Sequence, residues 1–286
     1  MTQATSWIVF RSLLASKEDK TLPSYLSEQL QRQLSHSLSL SHSAFAQTST
    51  ERAYVNECHY SWLIPLCQVL REEDLLMVLS ALDPFQREKL KHYLQITKNA
   101  PDLSALAREF LLDEFDKRLI QGEVNWLPIQ FVPDHPLKSL LDLKKKEIQT
   151  LIDFLGLHDL AIDLRQMIES KKIKKVLALC SRAERQYLKT LMQKKERAFF
   201  ARLNLDAWDG NEETLKHILH HRGVNRLGKA LFGCHPSLVL HLCYRLDTGR
   251  AKILRKFCSN INNELAQKTL VDQVIELIPV VKQDNV

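Results

Sequence analysis

The sequence predicts an all-α protein made of two helical domains preceded by a pair of N-terminal helices. Only seven glycines occur in 286 residues, and the first of them is Gly122. Hairpin turns depend on glycine, whereas the abundant Leu, Lys, Glu, Gln and Ala favour helices. Hydrophobic residues make up 45% and charged residues 26% of the chain. This composition is globular and excludes a disordered, collagen-like or disulfide-scaffold protein.

Two amphipathic helices are predicted in the first 40 residues. Apolar side chains recur at helical spacing between Ser6 and Ala15, and a leucine recurs every fourth residue within 22–40. These leucines are Leu26, Leu30, Leu34 and Leu38. The following stretch to Thr50 is rich in Ser, His, Thr and Gln, and we interpret its later part as a linker.

A block of short helices is predicted over residues 56–122. Ser61 is expected to cap the first, and three acidic residues place negative charge in the first turn of the next. These acids are Glu72, Glu73 and Asp74. Asp83 followed by Pro84 has the pattern of an N-cap with proline at the first helical position.

The last helix of this block is predicted to open at Asp102 and to end near Gly122. One side of it carries an apolar stripe that we expect to face the core. The stripe consists of Leu103, Leu106, Ala107, Phe110, Leu111 and Phe115.

A segment with three prolines follows, and it is the best candidate for a domain boundary. Each proline fixes φ and removes a backbone donor, so the segment cannot form one helix. The predicted organisation is therefore an N-terminal pair with its linker, a helical domain, a proline-containing linker and a second helical domain. Their ranges are 1–55, 56–122, 123–136 and 137–286.

The second domain is predicted to contain several short helices. The first four are expected at Leu137–Leu141, Glu147–Leu155, Asp159–Ile168 and Ile173–Leu179. Ser181, with Glu184 three residues later, has the pattern of a capping box. Later helices are expected to be separated by the turn Asp209-Gly210-Asn211 and by Gly223, Gly233 and Gly249. The final helix is expected at Asn262–Ile278, before Pro279.

The positive charge of the chain is concentrated in its middle. Residues 1–137 carry 13 Lys and Arg against 17 Asp and Glu, whereas residues 138–202 carry 16 against 8. Such an excess attracts phosphate, anionic lipid or an acidic protein surface. The alternative is a solvated helical surface. A helical nucleic-acid-associated protein that uses the 138–202 basic stripe is therefore one candidate function.

A cytoplasmic protein is expected, because no apolar run is long enough to span a bilayer and the first ten residues lack the features of a secretory signal. The six cysteines lie far apart in sequence, which favours reduced, buried thiols. They are Cys58, Cys67, Cys180, Cys234, Cys243 and Cys258.

Catalytic and cofactor-binding patterns do not emerge from the sequence. It contains no phosphate-binding glycine loop and no G-x-S-x-G elbow, so we expect no enzymatic activity, no cofactor and no small-molecule substrate. A metal-dependent enzyme remains a weaker alternative, because a cluster of imidazoles and thiols occurs late in the chain. Its members are His217, His220, His221, Cys234 and His241. Their spacing matches no zinc module, so we predict no metal site.

The stretch from Glu57 to Ile96 resembles a known family. It begins E-C-H-Y-S-W-L-I-P-L-C-Q-V-L. This pattern is similar to the His-Pro-Ser-Trp-Leu region of the SctK (YscK-like) components of type III secretion systems, and to the middle domain of the flagellar switch protein FliG. Tyr60 stands where that pattern has proline.

The stretch from Leu140 to Leu191 resembles the C-terminal domain of FliG. Shared positions include L-L-D-L from Leu140 and D-L-A-I-D-L from Asp159. Where FliG has an Asp-Asp-Arg run on its torque helix, this chain has Lys144, Lys145 and Lys146. The local charge thereby changes from −1 to +3, which argues against a role in rotary torque. A flagellar-switch-like FliG homologue is the remaining alternative function, and this change of charge argues against it.

The resemblance implies a non-enzymatic cytosolic adaptor of a bacterial type III secretion system, docked peripherally on an inner-membrane complex. Its implied partners are an inner-membrane ring protein (SctD-like) and a subunit of the sorting platform (SctQ-like). Trp62, Trp126 and Trp208 are candidate apolar anchors, and burial in the core is the alternative for each, because tryptophan is usually largely buried. The lysines expected to steer an acidic partner are Lys144, Lys145, Lys146, Lys171 and Lys172.

Overall fold

The computed structural model describes residues 54–123, 126–194, 202–203, 205 and 208–283, together with Ser27, Gln31 and Arg32. Except for these last three, the two predicted N-terminal helices and their linker lie outside the described residues. The described part is all-α and contains no strand. The chain divides into two compact units, Met1–Asp134 and His135–Val286. The division falls within the proline-containing segment.

The first unit is built from five α-helices and two 3₁₀ helices in the described residues. The α-helices are α1 (Tyr54–Glu57), α2 (Ile64–Gln68), α3 (Glu72–Ala81), α4 (Pro84–Leu94) and α5 (Ala105–Ile120). The 3₁₀ helices are Tyr60–Trp62 and Ile129–Phe131. Helix α3 packs against α4 and α5, and α1 packs against α5. The core between them includes Val55, Leu63, Leu79, Leu82, Leu90 and Phe115.

Helix starts in the first unit agree only in part with the sequence prediction. The acidic first turn of α3 is confirmed, and so is Asp83 as N-cap of α4, where its side chain accepts from the Phe85 N–H at 2.9 Å. Ser61 is not a cap, because its own N–H donates to the His59 side chain. The prediction of Asp102 as the start of α5 is also wrong, since Ser104 caps that helix.

Helix α5 does not bury the whole stripe that the sequence predicts. Leu106 is 78% exposed and Phe110 is 63% exposed, whereas Phe115 is 3% exposed. The orientation of the helix is fixed by Asp116, whose carboxylate accepts from the backbone N–H groups of Tyr54 at 3.0 Å and Val55 at 2.7 Å. These bonds turn the side of α5 that carries Phe115 and Asp116 inward and leave Leu106 and Phe110 outside.

The second unit begins with a 3₁₀ helix and continues with seven α-helices in the described residues. The 3₁₀ helix Pro136–Asp142 stands where an α-helix was predicted. The α-helices are α6 (Lys145–Gln166), α7 (Ser170–Leu179), α8 (Arg182–Gln193), α9 (Glu212–Ala230), α10 (Pro236–Arg245), α11 (Thr248–Phe257) and α12 (Glu264–Gln283). Helix α9 packs along α6 and also contacts α11 and α12.

Two glycines let α6 and α9 cross in close contact. A methyl group on Gly156 of α6 would collide with the carbonyl oxygen of Leu219, and one on Gly223 of α9 would collide with that of Ile152. The predicted break between 155 and 159 is therefore wrong, because Gly156 lies inside one 22-residue helix. Gly223 likewise lies inside a helix and does not separate two.

Other helix ends in the second unit also test the sequence predictions. The capping box of α8 is confirmed: the Ser181 side chain accepts from Glu184 N–H at 3.2 Å, and Glu184 accepts from Ser181 N–H at 2.6 Å. Gly233 has a φ of +84° and follows α9, as expected, whereas Gly249 lies inside α11. The predicted stop at Pro279 is wrong, since α12 continues to Gln283. This exposed proline removes only one helical bond near the helix end.

A buried charged group connects three helices of the second unit. Arg226 on α9 is fully buried, and its guanidinium donates to Asp159 Oδ1 on α6 at 2.6 Å and to Gln273 Oε1 on α12 at 2.7 Å. A buried arginine is tolerated only with such partners. The central crossing and the C-terminal helix therefore share one polar contact within the core.

Candidate functional site

The first predicted lysine cluster lies at the N-terminal end of α6. Lys144 and Lys146 are exposed, and Lys145 is half-buried. The backbone N–H of Lys144 donates to Glu147 Oε2 at 2.7 Å, and the Glu147 side chain is buried. The lysine side chains and the N-terminal end of the helix dipole are both positive. An acidic group that approaches this surface is therefore favoured by both.

The second predicted cluster lies in the first turn of α7. Lys171 is exposed, and Lys172 Nζ lies 3.2 Å from Glu169 Oε2. Helix α6 has 22 residues and is about 33 Å long, so the first turn of α6 and the residues that follow its last turn are far apart. The two clusters therefore form separate basic surfaces, and they do not form one continuous stripe along α6.

The three candidate tryptophans differ in their surroundings. Trp62 is half-buried in its 3₁₀ helix, and Trp126 is half-buried with its ring edge-on to Tyr54 at 4.9 Å between centroids. Trp208 is 9% exposed, and its Nε1 donates to the Asn211 carbonyl at 2.9 Å. Trp62 and Trp126 are therefore partly accessible, whereas Trp208 belongs to the packing of the second unit.

Helix α4 presents an aromatic surface that sequence reasoning missed. Phe85 is 65% exposed and Tyr93 is 55% exposed, and Lys89 lies between them on the same row with its Nζ 5.6 Å from the Phe85 ring centroid. The buried side of the helix carries Leu90 and Gln86 instead. The spacing of four residues between 85, 89 and 93 is the signal in the sequence that could have indicated this surface. We call Phe85, Lys89 and Tyr93 the α4 ridge.

A groove in the second unit gathers the histidines that the sequence analysis singled out. It has a volume of about 790 Å³ and lies between α6, α9, α11 and the corner where α7 meets α8. His217, His220 and His221 line it. His220 Nδ1 lies 2.6 Å from Asp153 Oδ1, so this imidazole is held against α6. His221 instead packs edge-on against Phe257.

The groove contains a thiol that is kept neutral. Burial, followed by the nearby Glu184 carboxylate, raises the pKa of Cys180 to about 11, and its Sγ lies 3.4 Å from the Val176 carbonyl. A thiol with such a pKa is a poor nucleophile near neutral pH. Burial and the neighbouring His217 lower the pKa of His221, which keeps its imidazole neutral near pH 7.

The alternative metal ligands are spread over the second unit. His241 is buried in α10, and Cys234 Sγ lies 3.6 Å from His135 Nδ1. Within the residues that the structure describes, no three His, Cys, Asp or Glu side chains form a group that could hold a metal ion.

Comparisons of this chain with known proteins found no similar protein. No protein-family model, no curated protein and no solved structure matches this chain. In the described ranges, every helix is too short or too polar to cross a membrane.

Proposed function

We propose that this chain is a non-enzymatic helical adaptor that connects two other proteins. The observation that carries the proposal is the exposed α4 ridge. Single exposed apolar residues are normal, but two aromatic side chains on one row of a helix, both more than half exposed, are typical of a protein-binding surface. Tyrosine and other large aromatic residues supply much of the affinity at such surfaces.

The lysines at the start of α6 supply a second and different surface. Lys144, Lys145 and Lys146 are consecutive, and the carboxylate that follows them, Glu147, is buried. Exposed cations raise the association rate with an acidic partner more than they raise affinity. We therefore assign affinity to the α4 ridge and electrostatic steering to these lysines.

The proposed setting is the cytosolic side of a bacterial type III secretion system. It rests on the resemblance of 57–96 to SctK-like proteins and of 140–191 to FliG. The proposed partners are the cytoplasmic domain of the inner-membrane ring protein (SctD-like) and the platform subunit (SctQ-like). The two units then supply the two ends of a connection between membrane ring and platform.

Binding kinetics of the full chain with each partner domain test the proposal. We expect Phe85→Ala with Tyr93→Ala to weaken binding of one partner about 30-fold or more, because each truncated anchor costs more than about 1 kcal/mol. Ile168→Ala is the matched control, since Ile168 is 94% exposed on the other unit. Failure of both partner domains to bind the unaltered chain would remove the adaptor proposal.

Charge reversal tests the lysines separately. Lys144→Glu, Lys145→Glu and Lys146→Glu together are expected to slow association about tenfold or more at low salt and to flatten its salt dependence. The control is an equal reversal of charge elsewhere in the second unit, at Lys252, Lys256 and Lys268. An unchanged association rate in the first variant would refute steering.

Binding to arbitrary duplex DNA tests the alternative function. A nucleic-acid-binding protein should retard duplex at low salt and release it steeply as salt rises, because each neutralised phosphate releases a counterion. We expect no retardation, because the two lysine clusters lie near opposite ends of α6. Retardation that is lost on reversal of Lys144, Lys145 and Lys146 would favour the nucleic-acid alternative.

A further inference from the structure

Helix α7 has a basic outward side that the adaptor proposal does not use. Its ten residues, Ser170–Leu179, include four lysines and no carboxylate. The inward side buries Val176, whereas Lys171, Lys174 and Lys175 are exposed. These three positions lie on one side of the helix, because they are spaced by three and four residues. Helix α7 therefore presents a row of cations with no acidic residue among them.

The four lysines of α7 differ in what their side chains contact. Lys172 is half-buried, and its Nζ lies 3.2 Å from Glu169 Oε2. Lys175 Nζ lies 5.5 Å from the centroid of the buried Trp208 ring. The stretch 169–179 contains four lysines against one glutamate, so its net charge is +3. The charge of Glu169 offsets only the half-buried lysine, and the exposed row stays cationic.

An exposed aliphatic side chain stands next to this row. Ile168 lies in the connection between α6 and α7 and is 94% exposed, more than any other large hydrophobic side chain in the described residues. Lys171 follows it by three residues, which span at most about 11 Å of chain. We call Ile168, Lys171, Lys174 and Lys175 the α7 surface.

The residue types on the α7 surface distinguish between its possible anionic partners. Sites for single-stranded nucleic acid combine cations with aromatic side chains on which bases stack. Anchors of protein interfaces are mostly Trp, Tyr and Arg, and lysine is depleted there. The α7 surface contains no aromatic residue and no arginine. Lysines beside an exposed aliphatic residue instead match an anionic membrane surface, where the ammonium groups meet lipid phosphates and the aliphatic group enters the headgroup boundary.

We propose that the α7 surface contacts the headgroups of an anionic lipid bilayer. Each lysine held near such a bilayer strengthens binding about fivefold, so the three exposed lysines supply on the order of 100-fold. This attachment is reversible, and stable docking requires a second contact. The inference goes beyond the adaptor proposal and does not rest on it, because the partner surfaces are the α4 ridge and the lysines at the start of α6.

Co-sedimentation of the full chain with lipid vesicles tests the proposal. One set of vesicles contains phosphatidylcholine alone, and the other contains phosphatidylcholine and phosphatidylglycerol in equal parts. We expect the chain to bind the anionic set at low salt and not to bind the neutral set. Binding should weaken as salt rises, because salt screens the attraction between lysines and lipid phosphates.

Two variants separate the charges from the apolar contact. Lys171→Gln with Lys174→Gln should lower the partition coefficient on anionic vesicles about 25-fold. Ile168→Ser should lower it about tenfold, because an apolar side chain leaves the headgroup boundary. All three positions are exposed, so the fold should persist, which circular dichroism checks. The matched control is Lys252→Gln with Lys256→Gln, which removes the same charge from exposed positions of α11.

Weaker vesicle binding by both α7 variants, with no change in the control, would support the contact. Unchanged binding by either α7 variant, or an equal loss in the control, would overturn it. So would equal binding of the unaltered chain to both sets of vesicles, or binding to neither at low salt. Polyglutamate and duplex DNA serve as probes for the other anionic partners. Binding to one of them and not to vesicles, lost in Lys171→Gln with Lys174→Gln, would assign the α7 surface to that partner class and overturn the proposal.

The vesicle assay and the partner assays fail independently of each other. No partner protein is present with the vesicles, so a negative vesicle result leaves the adaptor proposal standing. The partner assays contain no lipid, so their failure leaves the lipid contact standing. For the same reason, Ile168→Ala stays a valid control for partner binding.

Discussion

The close crossing of α6 and α9 makes a sharp prediction about stability. Alanine at Gly156 or Gly223 places a methyl group onto a backbone carbonyl oxygen of the other helix, which cannot rotate away as a side chain could. The helices must then separate by on the order of 1 Å, and such overpacking costs about 1–3 kcal/mol. Alanine recovers up to about 1 kcal/mol of helix propensity. The methyl group meets backbone in both cases, which favours the upper part of the cost range. We therefore expect each substitution to lower the free energy of unfolding by about 1–2 kcal/mol after this offset.

Urea denaturation followed by circular dichroism measures this loss. With a slope of about 2 kcal/mol per molar urea, the midpoint should fall by about 0.5–1 M for each variant. The double variant should lose less than the sum, because both methyl groups push apart the same two helices. Gly249→Ala is the control, since its methyl group meets no backbone atom of another helix and approaches only Asp247 Oδ1, at 3.1 Å. Unchanged midpoints for Gly156→Ala and Gly223→Ala would refute the crossing.

Three further predictions concern buried polar groups. Burial raises the pKa of Asp116 to about 6, so the folded state holds its proton more tightly than the unfolded state. As the pH rises from 4 to 6, the free energy of unfolding should therefore fall by at most about 3 kcal/mol. Asp116→Asn should flatten this change in urea titrations at several pH values. Arg226→Met leaves Asp159 buried without its ion pair and should lower the free energy of unfolding by about 3–5 kcal/mol in the same assay. Adding Asp159→Leu to this variant should restore part of the loss. Burial raises the pKa of Cys67 to about 12; mass spectrometry should therefore show negligible alkylation of Cys67 by iodoacetamide at pH 8 until urea unfolds the chain.

Local signals in the sequence were sufficient for the fold class and for several helix starts. Asp83 with Pro84 and Ser181 with Glu184 are capping patterns in which a side chain bonds a backbone N–H two or three residues away. Such bonds depend only on neighbouring residues, so the sequence predicts them directly. The scarcity of glycine similarly predicted the absence of strands in the described residues.

Features that depend on distant residues were not predictable in this way. A helix was predicted to end at Leu155, but Gly156 continues α6 and allows contact with Leu219, which is 63 residues away. The stripe on α5 was predicted as core, but bonds from Asp116 to the start of α1 determine which side turns inward. Neither partner is visible in a local pattern.

The candidate site shows the same limit. The lysine clusters lie at helix starts, on surfaces that sequence composition had singled out, and their role stays a prediction. Their separation depends on the unbroken length of α6, which the sequence analysis had divided into two helices. The α4 ridge was not predicted, because the helices that pack against α4 decide which of its apolar residues face the core. The structure buries Leu90 and exposes Phe85 and Tyr93.

The contact of Arg226 with Gln273 has a consequence for how the chain can be shortened. Helix α12 comes last in sequence, yet its Gln273 supplies an acceptor for the Arg226 guanidinium in the core of the unit. In a chain that ends before α12, the Arg226 guanidinium would lose this acceptor and become accessible to water. The side of α9 that packs against α12 would also become exposed. Deletion boundaries for smaller fragments therefore belong near Asp134, between the units, and not after α11.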